Sequence, residues 1–252
     1  MSGRLSGAGP GRRRRQHAAP VAAGSGDTHW SEMGHIVLIT GGSRSGKSTL
    51  AQRMAESLPG PHTFVATCPI FDDDEMKERI RRHQATRAAA GWSTVEEETE
   101  VAAAIARAPE TGVFLVDCLT LWVNNLMRRA DEAGVEMSDE DAVREMEAVT
   151  GAARAANGTT ILVTNEVAMG IVPGDPVSRA YRDLVGRINQ RAAAAADLVV
   201  LTICGLPLVL KGADHSLAGL VASTPDVTTV RPPDAPVGDR EVADGRPTGG
   251  QR

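Results

Sequence analysis

Short apolar runs alternate with amphipathic stretches through the middle of the chain. Five runs have the length and β-branched content of strands, at residues 36–40, 63–67, 112–117, 159–164 and 198–203. Helical patterns lie between them, at residues 49–56, 72–90, 138–156 and 179–196. Because continuous apolar strands are buried on both faces, the alternation predicts an α/β fold with a mostly parallel sheet covered by helices on both sides. The helix at 138–156 starts with Ser138 and Asp141, which have the spacing of a capping box.

Both ends of the chain lack this pattern. Residues 1–33 are rich in Gly, Ala, Arg and Ser, and residues 213–252 are rich in Pro, Asp, Gly and Thr. Such segments cannot bury enough apolar surface to offset the entropy of ordering them. We therefore expect two disordered tails around a single domain at residues 34–212. The run Arg12–Arg15 favours a solvated tail over a nucleic-acid-binding arm.

Composition narrows the class of protein. The net charge of −5 argues against nucleic-acid binding. The longest apolar stretch, residues 198–210, is interrupted by Gly205 and Pro207 and is too short for stable membrane insertion. Cys68, Cys118 and Cys204 lie far apart and form no Cys-x-x-Cys motif. They predict buried, reduced thiols of a cytoplasmic protein rather than a disulfide framework or a zinc site.

A phosphate-binding loop follows the first predicted strand. Its pattern G-x-x-x-x-G-K-[ST] is formed by Gly41, Gly42, Ser43, Arg44, Ser45, Gly46, Lys47 and Ser48. A strand in front of the motif and a helix behind it are the context in which backbone N–H groups surround an anion. In that setting Lys47 reaches the β- and γ-phosphates and the Ser48 hydroxyl ligates Mg²⁺. The sequence therefore predicts a nucleoside triphosphate site.

Polar residues also end two other predicted strands. Asp117 ends an apolar run, the position of the Mg²⁺-organising acid in P-loop enzymes, although a helix N-cap or loop aspartate would look the same. Asn165 and Glu166 follow the fourth strand and precede Gly170 and Pro173. That segment is either a functional loop at the ligand edge or a connecting turn in which the Asn165 side chain acts as a cap for the backbone.

His83 lies in the helical pattern at 72–90, on one face with Met76 and Ile80. Arg79, Arg82, Thr86 and Arg87 lie beside it. Guanidinium groups bind phosphates, and nearby cations keep an imidazole neutral and nucleophilic. A packed or surface histidine fits the same pattern, and the residues alone leave both interpretations open.

Several of these segments together resemble one known family. They are residues 41–48, 65–67, 74–83, 163–173 and 186–190, the most specific being Asn165-Glu166-Val167-Ala168-Met169-Gly170-Ile171-Val172-Pro173. In this order they are similar to the bifunctional adenosylcobinamide kinase / adenosylcobinamide-phosphate guanylyltransferases of cobalamin biosynthesis. The resemblance covers essentially all of residues 35–211. The chain departs from the family pattern at Arg82, where members often carry a second histidine, and between Arg87 and Trp92, which is one residue longer.

The resemblance implies a RecA-like P-loop fold, a homotrimer and two reactions. ATP or GTP first phosphorylates adenosylcobinamide. His83 then attacks GTP, and the bound GMP passes to adenosylcobinamide phosphate to give adenosylcobinamide-GDP. The implied nucleotide contacts are the loop 41–48, Thr67, Arg87, Glu96 and Asp117, with Mg²⁺ at Ser48 and Asp117.

Two other functions remain open from the sequence. A P-loop small-molecule kinase without nucleotidyl transfer would use the loop and Asp117 but not His83. A nucleotide-binding regulatory module would use the loop as a switch and needs no nucleophile.

Overall fold

The computed structural model describes residues 34–69, 78, 81, 84–85, 87–108 and 112–222. Most of the helix predicted at 72–90, including His83, lies outside the described residues, as do residues 1–33 and 223–252. Within that predicted helix, residues 78, 81, 84–85 and 87–89 are described and helical. Among the described residues, no helix has the length and apolar character needed to cross a bilayer.

Seven strands form one sheet in the described part of the chain. They are β1 (His35–Gly41), β2 (His62–Ala66), β3 (Trp92–Glu96), β4 (Val113–Asp117), β5 (Thr159–Val163), β6 (Leu198–Ile203) and β7 (Leu206–Lys211). Their order across the sheet is β3-β2-β4-β5-β1-β6-β7. All neighbours are parallel except β6 and β7. This confirms the predicted mostly parallel α/β sheet.

Helices cover the sheet on both faces. They are α1 (Lys47–Glu56), α2 (Val101–Ala106), α3 (Leu119–Glu132), α4 (Asp139–Ala155), α5 (Pro176–Ala195) and α6 (Ala218–Ala222). A short 3₁₀ turn, Val167–Met169, follows β5. The predicted capping box of α4 is confirmed, because the Ser138 hydroxyl accepts from the Asp141 N–H and the Asp141 carboxylate accepts from the Ser138 N–H.

Alternate residues of the central strands build two separate cores. Ile36 and Leu38 of β1 point to the face covered by α2 to α5. Val37 and Ile39 point to the other face, where Leu50 of α1 packs. All four β1 side chains are at most 2% exposed. Burial on both faces explains why β1 is a continuous apolar run rather than an alternating one.

The β6–β7 hairpin adds an antiparallel edge that the sequence did not predict. Its turn consists of Cys204 and Gly205, both with positive φ (53° and 81°). Two central residues with positive φ suit the twist of a tight hairpin. The turn touches the phosphate loop, since the Gly205 N–H donates to the Ser45 carbonyl at 2.9 Å. Cys204 is exposed and Cys68 is half-buried, so the prediction of buried thiols is correct only for Cys118.

The domain boundary predicted at residue 212 is too early. Leu217 and Val221 are 1% and 3% exposed and belong to the core on the α1 face. Leu220 also packs against this core, partly buried, but three large apolar side chains over five residues are too short a pattern to predict a helix from the sequence. The packed domain therefore extends at least to residue 222.

Candidate active site at the carboxyl edge of the sheet

The predicted site residues meet because their strands end in register. Glu96 pairs with Ala66, Ala66 with Asp117, and Asp117 with Val163. Val163 pairs in turn with Ile39, two residues before the phosphate loop begins. The loop, Thr67, Glu96, Asp117 and the segment after β5 consequently lie along one edge. Ligands of parallel α/β sheets bind at this edge.

Steric constraints explain why two positions of the loop are glycine. A Cβ on Gly41 would lie 2.3 Å from the Thr202 carbonyl oxygen and 2.7 Å from Ser45 Oγ. Gly46 has a φ of 95° and would place a Cβ 3.3 Å from the Gly205 Cα. A side chain at Gly41 would force β6 away, and one at Gly46 would be strained in the left-handed region. The loop shape therefore depends on both positions.

The N-terminus of α1 is open toward the loop. Gly46 is its N-cap and offers no side chain to accept from the first N–H groups. Unpaired N–H groups at a helix start attract anions, and the helix dipole adds to this effect. Lys47 follows directly and its Nζ donates to the Gly42 carbonyl at 3.0 Å, so the ammonium lies across the loop. Gly42, Ser43 and Arg44 are exposed around it.

Ser48 and Asp117 connect the loop to β4. The Asp117 carboxylate receives a side-chain hydrogen bond from Ser48. Burial raises the pKa of Asp117, and the Ser48 hydrogen bond and the positive charges of Lys47 and Arg87 oppose that shift. Burial lowers the pKa of Lys47, opposed by the charge of Asp117. The site thus holds one ammonium and one carboxylate close together in a partly desolvated pocket.

The donor set at this point fits magnesium. Mg²⁺ prefers hard oxygen ligands and is usually held by one or two carboxylates together with substrate phosphates. Ser48 and Asp117 offer a hydroxyl and a carboxylate already in contact with each other. They would hold the ion next to the phosphate loop.

Thr67 is engaged within the protein. Its hydroxyl donates to the Cys118 carbonyl and accepts from the Cys118 N–H, both at 2.8 Å. The buried Asn125 amide donates to the Thr67 carbonyl at 2.8 Å and to the Glu98 carbonyl at 3.0 Å. These bonds fix the ends of β2 and β4 beside Asp117. The predicted contact of Thr67 with a nucleotide stays a prediction.

Arg87 lies on the same edge. Its guanidinium carbon is 3.8 Å from the centre of the Phe64 ring. Burial lowers the pKa of Arg87, with Asp117 and Glu96 acting in the opposite direction. Its Nε is buried without a hydrogen-bond partner among the described residues. Glu96 is exposed and accepts from the Gln84 amide. A cation near Asp117 with an unused donor suits phosphate binding.

The segment after β5 forms a polar network that the sequence did not reveal. The Thr40 hydroxyl donates to Glu166 Oε1 at 2.6 Å, and the Asn189 amide donates to the same oxygen at 3.3 Å and to the Asn165 carbonyl at 3.1 Å. The Asn165 amide donates to Thr120 Oγ1 at 2.8 Å. Asn165 therefore bridges to α3 and does not cap a helix. Of the two interpretations, the one placing this segment at the ligand edge is supported.

A second cluster of potential metal ligands lies at the other end of the strands, where β1 and β6 begin. Ligand atoms of His35, Asp197 and His215 are within 4.8 Å of one another. However, Arg154 binds both carboxylate oxygens of Asp197, at 2.6 and 2.7 Å, and the Ile36 N–H donates to one of them at 2.8 Å. An arginine-paired carboxylate is a poor metal ligand. We interpret this cluster as structural.

Comparison with known proteins agrees with this site. A family model described as cobinamide kinase / cobinamide phosphate guanyltransferase matches residues 37–210. The bifunctional adenosylcobalamin biosynthesis protein CobP of Pseudomonas aeruginosa is 40% identical over 176 residues, which are 69% of this chain and 96% of that protein. The proteins named CobU from Salmonella typhimurium and Escherichia coli are each 37% identical, over 189 and 186 residues, covering 70% of this chain and 99% of each relative. With its phosphate loop, its Ser48–Asp117 pair and these matches, the chain belongs to the cobinamide kinase / cobinamide phosphate guanyltransferase family.

Proposed function

We propose that this enzyme phosphorylates adenosylcobinamide with ATP or GTP and then transfers GMP from GTP to adenosylcobinamide phosphate. The contact between Ser48 and Asp117 carries the proposal, because it joins the phosphate loop to an acid on a different strand. A loop that only bound an anion would not need that acid. The named relatives, which are bifunctional, support the second reaction.

In the first reaction the loop seats the triphosphate. N–H groups of the loop and of the start of α1 bind the phosphate oxygens, and Lys47 exchanges the Gly42 carbonyl for the β- and γ-phosphates. When bound at Ser48 and Asp117, Mg²⁺ neutralises charge on those phosphates. The substrate hydroxyl oxygen attacks the γ-phosphorus, the bond to the bridging oxygen breaks, and the nucleoside diphosphate leaves.

In the second reaction the nucleophile is a histidine. We assign it to His83, which lies outside the described residues, because the nucleophilic histidine of the family that the sequence resembles corresponds to this position. A neutral imidazole nitrogen attacks the α-phosphorus of GTP, pyrophosphate leaves, and a phosphoramidate joins GMP to the ring. The phosphate of adenosylcobinamide phosphate then attacks the same phosphorus and releases the histidine. Arg87, next to Asp117 at the edge, is positioned to bind phosphate oxygens in this step.

The proposal also concerns the oligomeric state and the cellular location of the enzyme. We propose a homotrimer, by resemblance to the family, and a cytoplasmic location, where nucleoside triphosphates are available. The exposed apolar side chains of the β6–β7 hairpin, Ile203, Leu206, Leu208 and Leu210, are 42% to 57% exposed in the single chain. Contiguous apolar surface of this kind is consistent with subunit contact.

The test is product analysis with the purified full chain. Adenosylcobinamide, Mg²⁺ and ATP should give adenosylcobinamide phosphate, and added GTP should convert it to adenosylcobinamide-GDP with release of pyrophosphate, both followed by mass spectrometry. Phosphorylation without the second product would favour a small-molecule kinase. Neither product, with slow triphosphate hydrolysis alone, would favour a regulatory module.

A further inference from the structure

We propose that Glu166 is the group that accepts the proton from the substrate hydroxyl in the phosphorylation step. This inference rests on the proposed function, because it concerns the kinase reaction at the same site. Its basis is the position of Glu166 between the two halves of the phosphate site, together with the hydrogen bonds that hold its carboxylate.

The sheet register fixes that position. β5 lies between β1, which leads into the phosphate loop, and β4, which ends in Asp117. Val163 at the end of β5 pairs with Ile39 on one side and with Asp117 on the other. After β5 the chain continues alongside the end of β1, where the Glu166 N–H donates to the Gly41 carbonyl at 3.2 Å. Glu166 is thus tied to the first residue of the phosphate loop.

The carboxylate is held at one oxygen only. Oε1 accepts from the Thr40 hydroxyl at 2.6 Å and from the Asn189 amide at 3.3 Å. Oε2 accepts no hydrogen bond from the described residues, and Glu166 is half-buried rather than covered. Thr40 and Asn189 are themselves buried, at 5% and 8% exposure, so the acid is oriented by buried side chains of β1 and α5. One oxygen is therefore fixed, and the other is available to a ligand.

Other acids at this edge are less suited to the task. The Asp117 carboxylate is bound to Ser48 and faces Lys47, where it serves the metal and phosphates. Glu96 ends the edge strand β3, three strands from β5, and accepts from Gln84. Glu166 alone among these three follows the strand next to the loop. A general base must lie within hydrogen-bond reach of the proton that it takes.

The proposed step balances without a further reactant. The hydroxyl oxygen forms its bond to the γ-phosphorus while its proton moves to Glu166 Oε2. The bond between the γ-phosphorus and the bridging oxygen breaks, and the nucleoside diphosphate leaves with that electron pair. The proton then passes from Glu166 to solvent after product release. Positioned general bases typically contribute about 10²–10⁴-fold to the rate.

The decisive variant is Glu166→Gln. Its amide oxygen can still accept from Thr40 and Asn189, so the network is kept while the proton acceptor is lost. We expect the kcat for adenosylcobinamide phosphorylation to fall at least about 100-fold, with the KM for ATP changed less than about threefold. Formation of the covalent GMP adduct from GTP should remain, because that step uses a different nucleophile. Glu132→Gln, an exposed glutamate paired with Arg128, is the matched control and should match the wild-type protein.

The outcomes distinguish a failure of this inference from a failure of the proposed function. If the wild-type chain phosphorylates adenosylcobinamide and Glu166→Gln does so within about threefold of it, Glu166 is not the proton acceptor. If Glu166→Gln instead loses phosphorylation, adduct formation and thermal stability together, its role is structural and the inference is also wrong. A wild-type chain that phosphorylates nothing would overturn the proposed function and this inference with it.

Discussion

The Nζ of Lys47 donates to the carbonyl oxygen of Gly42 at 3.0 Å, so the ammonium lies across its own phosphate loop. Lys47 is 8% exposed, and burial lowers its pKa. A triphosphate offers this ammonium stronger, charged acceptors than a neutral carbonyl. Nucleotide binding therefore needs only a local exchange of partners at Lys47.

Lys47→Ala should abolish both reactions, because both need the triphosphate seated in one loop. We expect kcat/KM to fall by at least about 100-fold for phosphorylation and for GMP transfer alike. Steady-state kinetics at saturating Mg²⁺ measure both. Arg144→Ala, which removes an exposed cation from α4, serves as the control. Phosphorylation that persists in Lys47→Ala would show that the two reactions do not share the loop.

Asp117→Asn should weaken the response to Mg²⁺ without lowering the stability of the fold. The amide can still accept from Ser48, but the carboxylate that would hold Mg²⁺ is gone. We expect the Mg²⁺ concentration for half-maximal phosphorylation to rise roughly tenfold or more. Because burial disfavours the charged carboxylate, the free energy of unfolding at pH 7 should not fall. An unchanged Mg²⁺ titration would remove Asp117 from the metal site.

The Arg154–Asp197 pair should stabilise the fold in a pH-dependent way. Burial of Asp197 opposes ionisation, but the hydrogen bonds from Arg154 and the Ile36 N–H prevail and lower its pKa. A lowered folded-state pKa gives stability that is present above the unfolded value, near 3.9, and is lost as the pH falls through the folded value. Asp197→Asn should thus cost about 2 kcal/mol at pH 7.

Urea unfolding measures this difference. The gap between wild type and Asp197→Asn should narrow below pH 4, as the wild-type carboxylate becomes protonated. Between pH 7 and pH 5 the gap also reflects the charges of His35 and His215, which interact with Asp197. A gap that widens as the pH falls below 4 would contradict the assigned direction of the Asp197 pKa shift.

The segment 213–222 should matter for stability, and the two tails beyond the domain should not. Leu217→Ala removes a side chain that is 1% exposed and should cost about 2–4 kcal/mol of unfolding free energy. Val135→Ala, at a side chain that is 60% exposed, is the control and should cost less than about 0.5 kcal/mol. Chains trimmed to residues 33–222 should keep the melting temperature of the full chain. A chain that ends at residue 212 and melts at the same temperature would show that α6 is dispensable.

Much of the fold was predictable because the central strands are buried on both faces. β1 and β5 are continuous apolar runs, and the loop 41–48 is a motif with fixed positions. The sequence pattern does not predict the edge strands β3 and β7, for a physical reason. β3 carries Ser93 and Thr94 on its partly exposed surface, and β7 contains Pro207, which edge strands tolerate. β3 therefore lacks the continuous apolar run of the predicted strands, and in β7 Pro207 interrupts an apolar run.

The site was predictable only in part. The motif predicts the roles of Lys47 and Ser48, and the position at a strand end predicts that of Asp117. The roles of Thr40 and Asn189 depend on Glu166, which is 126 and 23 residues away along the chain, respectively. No local pattern encodes contacts at that separation. The sequence places Asn165 and Glu166 as polar residues at a strand end, but it does not indicate their hydrogen-bond partners.

The central claim is that a histidine of this chain carries GMP, and one labelling measurement tests it directly. GTP labelled with ³²P at the α-phosphate, Mg²⁺ and the full chain are incubated and separated under denaturing conditions. The wild-type protein should keep the label in a bond that is stable in alkali and labile in acid, as expected of a phosphoramidate. His83→Asn should keep none while still phosphorylating adenosylcobinamide. His62→Asn, which removes a histidine bonded to the Ala55 carbonyl, should label like the wild type. Label retained by His83→Asn, or none on the wild-type protein, would contradict the account.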